Sequence, residues 1–342
     1  MFVRNQWYAI AWDREVGRKP LGRTVCGEPI AVYRKLDGDV VAMLDACPHR
    51  LLPLSMGLVE GNDLRCKYHG MKFDGAGQCV EMPGETQRKD AFKLTLYPVI
   101  ERYRFVWVWI GDPALADPAK LPDMWPCEHQ DWAFDGGSYF VHADYQLMID
   151  NLMHLTHETY VHPSSIGQAE LLEAPIEVSA DNETVTVERW MPGVKAPPFW
   201  QANSGLSGAV DRWQICRFLP PSVVLIDVGV AEAGKIQKGG DRTQGTDGFV
   251  VDVMTPSTPG SHWYFWGMAR NFHVHDMGLG QRVKDAQSGV FVEDIAILEA
   301  QQKSIDLLPN HRLRSIDIDG GGVRARVLID RMLKAQAAEA AE

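Results

Sequence analysis

Two short segments constrain this chain more than any other part of it. Ala46-Cys47-Pro48-His49-Arg50 and Arg65-Cys66-Lys67-Tyr68-His69-Gly70 each carry one cysteine and one histidine, and sixteen residues separate His49 from Cys66. Each segment is read as a loop that delivers one thiolate and one imidazole. Four such nitrogen and sulfur ligands suit zinc or an iron–sulfur centre. The fold of this part of the chain must therefore bring two loops to one place.

The order of the ligands carries further information. A Cys₂His₂ zinc finger holds its two cysteines together and then its two histidines. Here each loop has one of each, which is the arrangement of a Rieske [2Fe–2S] cluster, with two cysteines on one iron and two histidines on the other. Cys47, His49, Cys66 and His69 are the candidate ligands. Histidine in place of thiolate raises the reduction potential, so such a cluster accepts electrons from a flavin or ferredoxin donor. A mixed-ligand zinc site is the competing reading.

The surroundings suggest a small all-β domain. Glu28–Arg34, Val40–Asp45 and Phe105–Ile110 are rich in Val, Ile, Leu and Trp. Turn sequences fall between them at Leu36–Asp39, Glu60–Asp63 and Asp74–Gly77. Gly111–Pro126 contains Pro113, Pro118, Pro122 and Pro126, and reads as a linker. The expected division is a cluster domain over 1–112, a linker over 113–126 and a second domain over 127–342. With 342 residues, the chain has ample length for two domains. The second part groups strands (Val185–Met191, Ile215–Phe218, Val223–Ala231, Phe249–Met254 and Trp263–Ala269) between helices (Tyr145–Tyr160, Asp285–Leu308 and Gly322–Ala337). The fold class expected is α+β, with an all-β domain followed by an α+β domain built on an antiparallel sheet.

Several functions are excluded at this level. Thirty-four Lys and Arg against forty-five Asp and Glu give a net charge of −11, unfavourable for general nucleic-acid binding. No apolar run is long enough for a membrane helix, and the N-terminus lacks a signal-peptide pattern. A cytoplasmic protein is expected, in which Cys26, Cys79, Cys127 and Cys216 are core or surface thiols. No complete G-x-G-x-x-G opens a helix, so no nicotinamide or flavin site is visible.

A second constellation lies in Asp150-Asn151-Leu152-Met153-His154-Leu155-Thr156-His157-Glu158-Thr159-Tyr160-Val161-His162-Pro163. On a straight helix His157 and His162 would lie about 140° apart around the axis. They converge only where the helix ends or distorts, and Pro163 supplies such an end. Two histidines plus one carboxylate, with open positions, form the facial triad of non-haem Fe(II) oxygenases. The carboxylate is expected at Asp294, which sits on an apolar helix stripe with Val290 and Leu298, where an unpaired acid is costly. Glu293 falls one step around, toward the polar side. A helix-surface acid remains the alternative reading of Asp294.

Together these segments resemble the alpha subunits of the Rieske non-haem iron oxygenases, over the whole chain. Within that family the chain is similar to the vanillate O-demethylase branch. The stretches are Asp150–Gln168, Ala196–Trp200, Asp211–Phe218 and Tyr264–Phe272. The resemblance implies a [2Fe–2S] cluster, a mononuclear Fe(II) held by His157, His162 and Asp294, and O₂ as cosubstrate. It also implies electrons from NADH through a separate flavin/ferredoxin-type reductase, and a homotrimer. The implied reaction is O-demethylation of a vanillate-like methoxylated aromatic acid to the phenol and formaldehyde. Hydroxylation of a methyl group or ring in another aromatic acid is the alternative, and a plain Rieske electron carrier a remote one. The family pattern has an acid where this chain has His154, so His154 and Asp150 are the candidates for the acid's bridging role. Arg189, Arg212, Arg217 and Arg270 are candidate partners for a substrate carboxylate and receive no assignment.

Overall fold

The computed structural model describes residues 1–84 and 91–339. The described chain divides into two compact units. One comprises Phe2–Leu121 with Thr255–Pro259; the other comprises Met1, Pro122–Met254 and the chain from Gly260 onward.

The first unit is made of short antiparallel strands. These are β1 (Gln6–Trp12), β2 (Leu21–Val25), β3 (Glu28–Arg34), β4 (Val40–Leu44), β5 (Leu58–Glu60), β6 (Asp63–Arg65), β7 (Lys72–Phe73), β8 (Cys79–Glu81), β9 (Leu96–Tyr97), β10 (Val99–Arg102) and β11 (Phe105–Ile110). They form three sheets, ordered β1-β11-β10, β2-β3-β4-β9 and β5-β6-β7-β8. β-Branched and aromatic residues fill β3 and β11, and every residue of β11 is buried, as an all-apolar strand requires. One apolar cluster gathers Tyr8, Ile30, Val32, Val106 and Val108. A second gathers Tyr33, Met43, Leu54, Leu64 and Phe73 around Cys47 and Cys66. In the proline-rich stretch after β11, Pro113–Leu115 and Pro118–Lys120 form 3-10 turns, each capped by an aspartate: Asp112 accepts from the Ala114 amide and Asp117 from the Ala119 amide. The first unit continues through these turns to Leu121.

The second unit is α+β. Its strands are β12 (Ala133–Val141), β13 (Glu177–Ala180), β14 (Val185–Lys195), β15 (Ala209–Leu219), β16 (Val223–Glu232), β17 (Thr246–Thr258) and β18 (Ser261–Arg270). They form one seven-stranded sheet in the order β12-β18-β17-β16-β15-β14-β13. The pairings β12–β18, β13–β14, β14–β15, β15–β16 and β16–β17 are antiparallel. The helices are α1 (Tyr145–Leu152), α2 (Glu158–Val161), α3 (Glu170–Glu173), α4 (Pro198–Asn203), α5 (Met277–Leu307) and α6 (Gly320–Glu339). α5 packs on β12 and β18, whereas α6 packs on α1 and β14. No described helix is long and apolar enough to cross a membrane.

Three helix expectations are corrected. The helix expected over Asp285–Leu308 starts eight residues earlier, at Met277, and ends at Leu307. The segment Tyr145–Tyr160 is not one helix. α1 stops at Leu152, Leu155 takes a left-handed φ of +49°, and the one-turn α2 follows. The apolar period signalled burial correctly, since Leu147, Leu152 and Leu155 are all buried, but the backbone that buries them is broken. The final helix, expected over Gly322–Ala337, begins at Gly320 although glycines are poor helix formers by propensity alone. Close packing explains them. A Cβ on Gly321 would lie 2.4 Å from the Met153 carbonyl oxygen, and one on Gly322 would lie 2.8 Å from Asp150 Oδ1.

Candidate metal centres

In the first unit, Cys47 lies three residues after the end of β4 at Leu44, and Cys66 directly follows β6. The two loops are built alike. The Cys47 amide donates to the Leu52 carbonyl at 2.9 Å, and the Leu51 amide returns to the Cys47 carbonyl at 2.8 Å. Likewise the Cys66 amide donates to the Met71 carbonyl at 2.8 Å, and the Gly70 amide to the Cys66 carbonyl at 3.1 Å. The fourth residue after each cysteine is left-handed, Leu51 at φ +57° and Gly70 at φ +78°. Glycine meets this demand without a Cβ penalty; leucine meets it against one.

This shared turn sorts the four side chains. Both thiols are buried, and both histidines are exposed. The imidazoles of His49 and His69 lie together, their centroids 4.4 Å apart at an interplanar angle of 60°. Burial, countered by the His49 amide and reinforced by the neighbouring Cys66 thiol, pushes the Cys47 thiol up to about 11. Paired buried thiols with paired imidazoles at the surface fit a cluster with one sulfur-ligated and one nitrogen-ligated iron. They do not fit a disulfide; none of the six cysteines is in one, and all six are buried.

In the second unit, the break after α1 places His157 just before α2 and His162 just after it. The two ligand candidates thus flank a single helical turn, rather than sitting on a helix body and its end. Asp294 reaches them from α5, in a buried stripe with Phe291 and Leu298. Asp294 Oδ1 lies 3.3 Å from His157 Nε2 and 3.1 Å from His162 Nε2. One donor atom from each residue falls within 4.8 Å of the others. The triad borders a mostly apolar cavity. Two imidazole nitrogens and a carboxylate with one open side are the donor set of a non-haem Fe(II) centre.

The electrostatics follow from these contacts. Burial alone would raise the Asp294 carboxyl, but His157 and His162 outweigh it and hold it down at about 2. Burial works against a proton on His162, yet Asp294 and Glu293 prevail and raise its affinity for one. Glu293 lies on the polar side of α5, as helix geometry indicates, and is about half exposed, yet its carboxylate also pairs with His162 Nδ1 at 2.6 Å, on the side of the ring away from Asp294. Asn151 Nδ2 donates to Asp294 Oδ1 at 3.1 Å. Neither role was read from the sequence. The available signals were the adjacency of Glu293 to Asp294 and the position of Asn151 on the last turn of α1.

His154 and Asp150 do not line the triad's cavity. Both face a second cavity, bounded also by Asn151, His157, Asp319 and Arg326. Asp150 is engaged by Arg326, whose Nη2 donates to Asp150 Oδ2 at 2.6 Å. The Thr156 amide donates to His154 Nδ1 at 3.2 Å, so the proton of a neutral His154 ring sits on Nε2. Burial, then His157, push His154 down to about 4. The buried Nδ1 of His157 has no hydrogen-bond partner among the described residues.

The triad's cavity also contains polar groups that the sequence left unassigned. Glu158, between the two histidines, accepts with both carboxylate oxygens from Gln214 Nε2 at 3.0 Å and lies 3.6 Å from Arg212 Nη2. Arg212 is held by Gln168. Arg189 instead donates to backbone carbonyls, including those of Leu171 and His154, and Arg270 to those of Phe272 and His273. Arg217 does not line the cavity.

Comparison with known proteins agrees with both centres. The Rieske [2Fe-2S] domain family matches residues 6–101, and the vanillate O-demethylase oxygenase C-terminal domain family matches residues 141–335. The vanillate O-demethylase oxygenase subunit of a Pseudomonas sp. is 47% identical, over 100% of this chain and 98% of its own. The toluene-4-sulfonate monooxygenase iron-sulfur subunit TsaM1 of Comamonas testosteroni is 36% identical, over 98% of each chain. A crystal structure of dicamba monooxygenase bound to 3,6-dichlorosalicylic acid superposes with a TM-score of 0.92 at 34% identity, covering 98% of this chain and 99% of that one. The chain belongs to the Rieske non-haem iron oxygenases, in the group of vanillate O-demethylase oxygenase subunits.

Proposed function

We propose that this protein oxidatively O-demethylates a methoxylated aromatic acid of the vanillate type, giving the phenol and formaldehyde. The observation that carries the reading is the His157–His162–Asp294 triad at the wall of an apolar cavity. Relatives that share nearly the whole chain and bear O-demethylase names support it. The enzyme is an oxygenase component, with a [2Fe–2S] cluster and a mononuclear iron as cofactors.

Cys47, His49, Cys66 and His69 would hold the cluster, and His157, His162 and Asp294 the iron. When bound, these groups supply stepwise electron delivery from a separate reductase and activation of dioxygen toward a methyl C–H bond. Hydroxylating a methoxy carbon makes a hemiacetal, which loses formaldehyde and leaves the phenol.

The chain's own residues prepare this chemistry. Phe199, Trp200, Ile226, Val228 and Met268 give the cavity walls on which an aromatic ring packs and from which water is displaced. Glu293 fixes the His162 ring so that Nε2 faces Asp294, the outer-shell support that metal-bound histidines require. Asn151 orients Asp294. Glu158 ties the turn that carries both histidines to the sheet through Gln214.

His154 and Asp150 act from the second cavity, on the side of His157 away from substrate. The proposal places electron entry there, in a homotrimer where a neighbour's cluster approaches this side. Exposed Ile297, Leu313 and Val323 at that cavity support the assembly. Free cysteines fit the reducing cytoplasm.

A panel of methoxybenzoates, run with a competent reductase and NADH, tests the function. Formaldehyde release matched to oxygen uptake on at least one methoxybenzoate is expected. Oxygen-dependent hydroxylation without formaldehyde from any of them would replace demethylation with methyl or ring hydroxylation.

A further inference from the structure

Arg65, the last residue of β6, directly precedes the ligand candidate Cys66. Strand alternation puts Leu64 in the core and Arg65 on the outer face. Across the sheet Arg65 stands beside Lys72 of β7, which in turn stands beside Glu81 of β8. A guanidinium carries five N–H donors in a planar fork, and here each one meets an acceptor. Nε and Nη2 donate to the two oxygens of Glu60 at 2.9 and 2.8 Å. Nη1 and Nη2 donate to the two oxygens of Glu81, each at 2.9 Å. The remaining donor, on Nη1, reaches the Gly70 carbonyl at 2.7 Å.

Gly70 closes the loop that bears Cys66 and His69. Its amide donates to the Cys66 carbonyl at 3.1 Å, and its carbonyl accepts from Arg65, so both polar groups of this left-handed residue are fixed. Half-exposed ion pairs contribute little to stability singly. Two bidentate pairs on one guanidinium do something else: they fix its plane. Arg65 cannot release Gly70 without breaking its bonds to both acids. The acids therefore orient the fork, and the fork holds one peptide of a ligand loop.

We propose that Arg65 is a positioning residue for the [2Fe–2S] cluster, holding the Gly70 peptide and with it the Cys66 and His69 ligands. The inference rests on the assignment of the cluster to Cys47, His49, Cys66 and His69.

The test uses the holoprotein and three variants. Arg65→Lys keeps the positive charge without the planar fork, and Arg65→Met removes both. Arg34→Met is the control, because Arg34 makes a like fork to Glu101 and holds the Gly38 carbonyl at 2.7 Å, on a turn without ligand candidates. Ligand geometry is read from the electron paramagnetic resonance of the reduced cluster, and retention from loss of its visible absorbance to an iron chelator. The reduction potential is measured by redox titration. Both Arg65 variants should shift the resonance and lose the cluster at least about tenfold faster than the wild type. Only Arg65→Met should also lower the potential, since it removes a positive charge that favours the reduced cluster. Arg34→Met should lower the Tm and leave the resonance, retention and potential unchanged. Wild-type resonance and retention in Arg65→Lys would overturn the proposal, because charge alone would then suffice; this variant decides the matter even where Arg65→Met does not fold. Equal cluster loss in Arg34→Met would also overturn it, because general destabilisation would then account for the effect. A wild-type preparation without a Rieske spectrum would instead defeat the cluster assignment, before any variant is compared.

Discussion

At the scale of single residues, the iron centre depends on groups that hold the ligands rather than on the ligands alone. Glu293→Gln keeps the shape of the side chain but removes the charge that pairs with His162 Nδ1 at 2.6 Å. Iron affinity should fall by roughly ten- to a hundredfold, read as iron retained per chain after dialysis against a graded chelator; unchanged retention would show that Glu293 is only a surface acid. His154 poses the opposite question. Its Nδ1 is occupied by the Thr156 amide, so a neutral ring presents a donor toward its surroundings, while His157 Nδ1 is left buried without a hydrogen-bond partner among the described residues. An acid at this position would offer His157 the acceptor it lacks. His154→Asp is therefore expected to preserve or raise the yield of formaldehyde per oxygen consumed. A large fall in that yield would give His154 a role of its own.

At the scale of elements, the one-turn α2 is the working part. Its position is set from behind by Gly167, whose amide donates to the His162 carbonyl at 3.0 Å. A Cβ there would lie 2.3 Å from the Glu158 carbonyl oxygen and 2.9 Å from that of His162. Gly167→Ala must push the turn, and with it both histidines, at a cost of about 1–3 kcal/mol of overpacking strain. Far-ultraviolet circular dichroism should stay close to wild type while bound mononuclear iron drops; full retention of that iron would show that the turn yields without displacing its ligands.

The same element shows what could and could not be read from sequence. The facing of Leu147, Leu152 and Leu155 toward the core was visible as a period. The break between them was not, because a left-handed Leu155 has no compositional signature of the kind glycine provides. His157, His162 and Asp294 were singled out by residue type and spacing together with the family resemblance, and the structure brings these three side chains together. The partnership of His162 with Glu293 was not legible, since helical geometry places Glu293 toward the polar side and the contact arises only when α5 is laid beside α2.

At the scale of the whole molecule, the two candidate centres belong to separate compact units. Their metals should accordingly be separable. Cys66→Ser removes one buried thiolate ligand, so the Rieske visible spectrum should vanish while one chelatable iron per chain is retained. A mild Fe(II) chelator on the wild type should do the reverse, abolishing turnover and sparing the visible spectrum. Loss of both centres' signals in either experiment would mean that the centres are not independently held.

Ligand chemistry is written in residue types, and so the sequence alone determined that this chain carries a Cys₂His₂ pattern divided between two loops and a second, histidine-rich segment. A thiolate or an imidazole is a ligand wherever it lies. Strand periodicity and proline clustering likewise indicated a β-rich first part and an α+β second part, because local patterning follows from which faces are buried. The tertiary structure alone decided how the ligands converge. It set the broken backbone between α1 and α2 and the approach of Asp294 and Glu293 from a helix more than a hundred residues away. These depend on distances between elements, which are fixed by packing over the whole sheet and are not encoded in any single stretch of the chain.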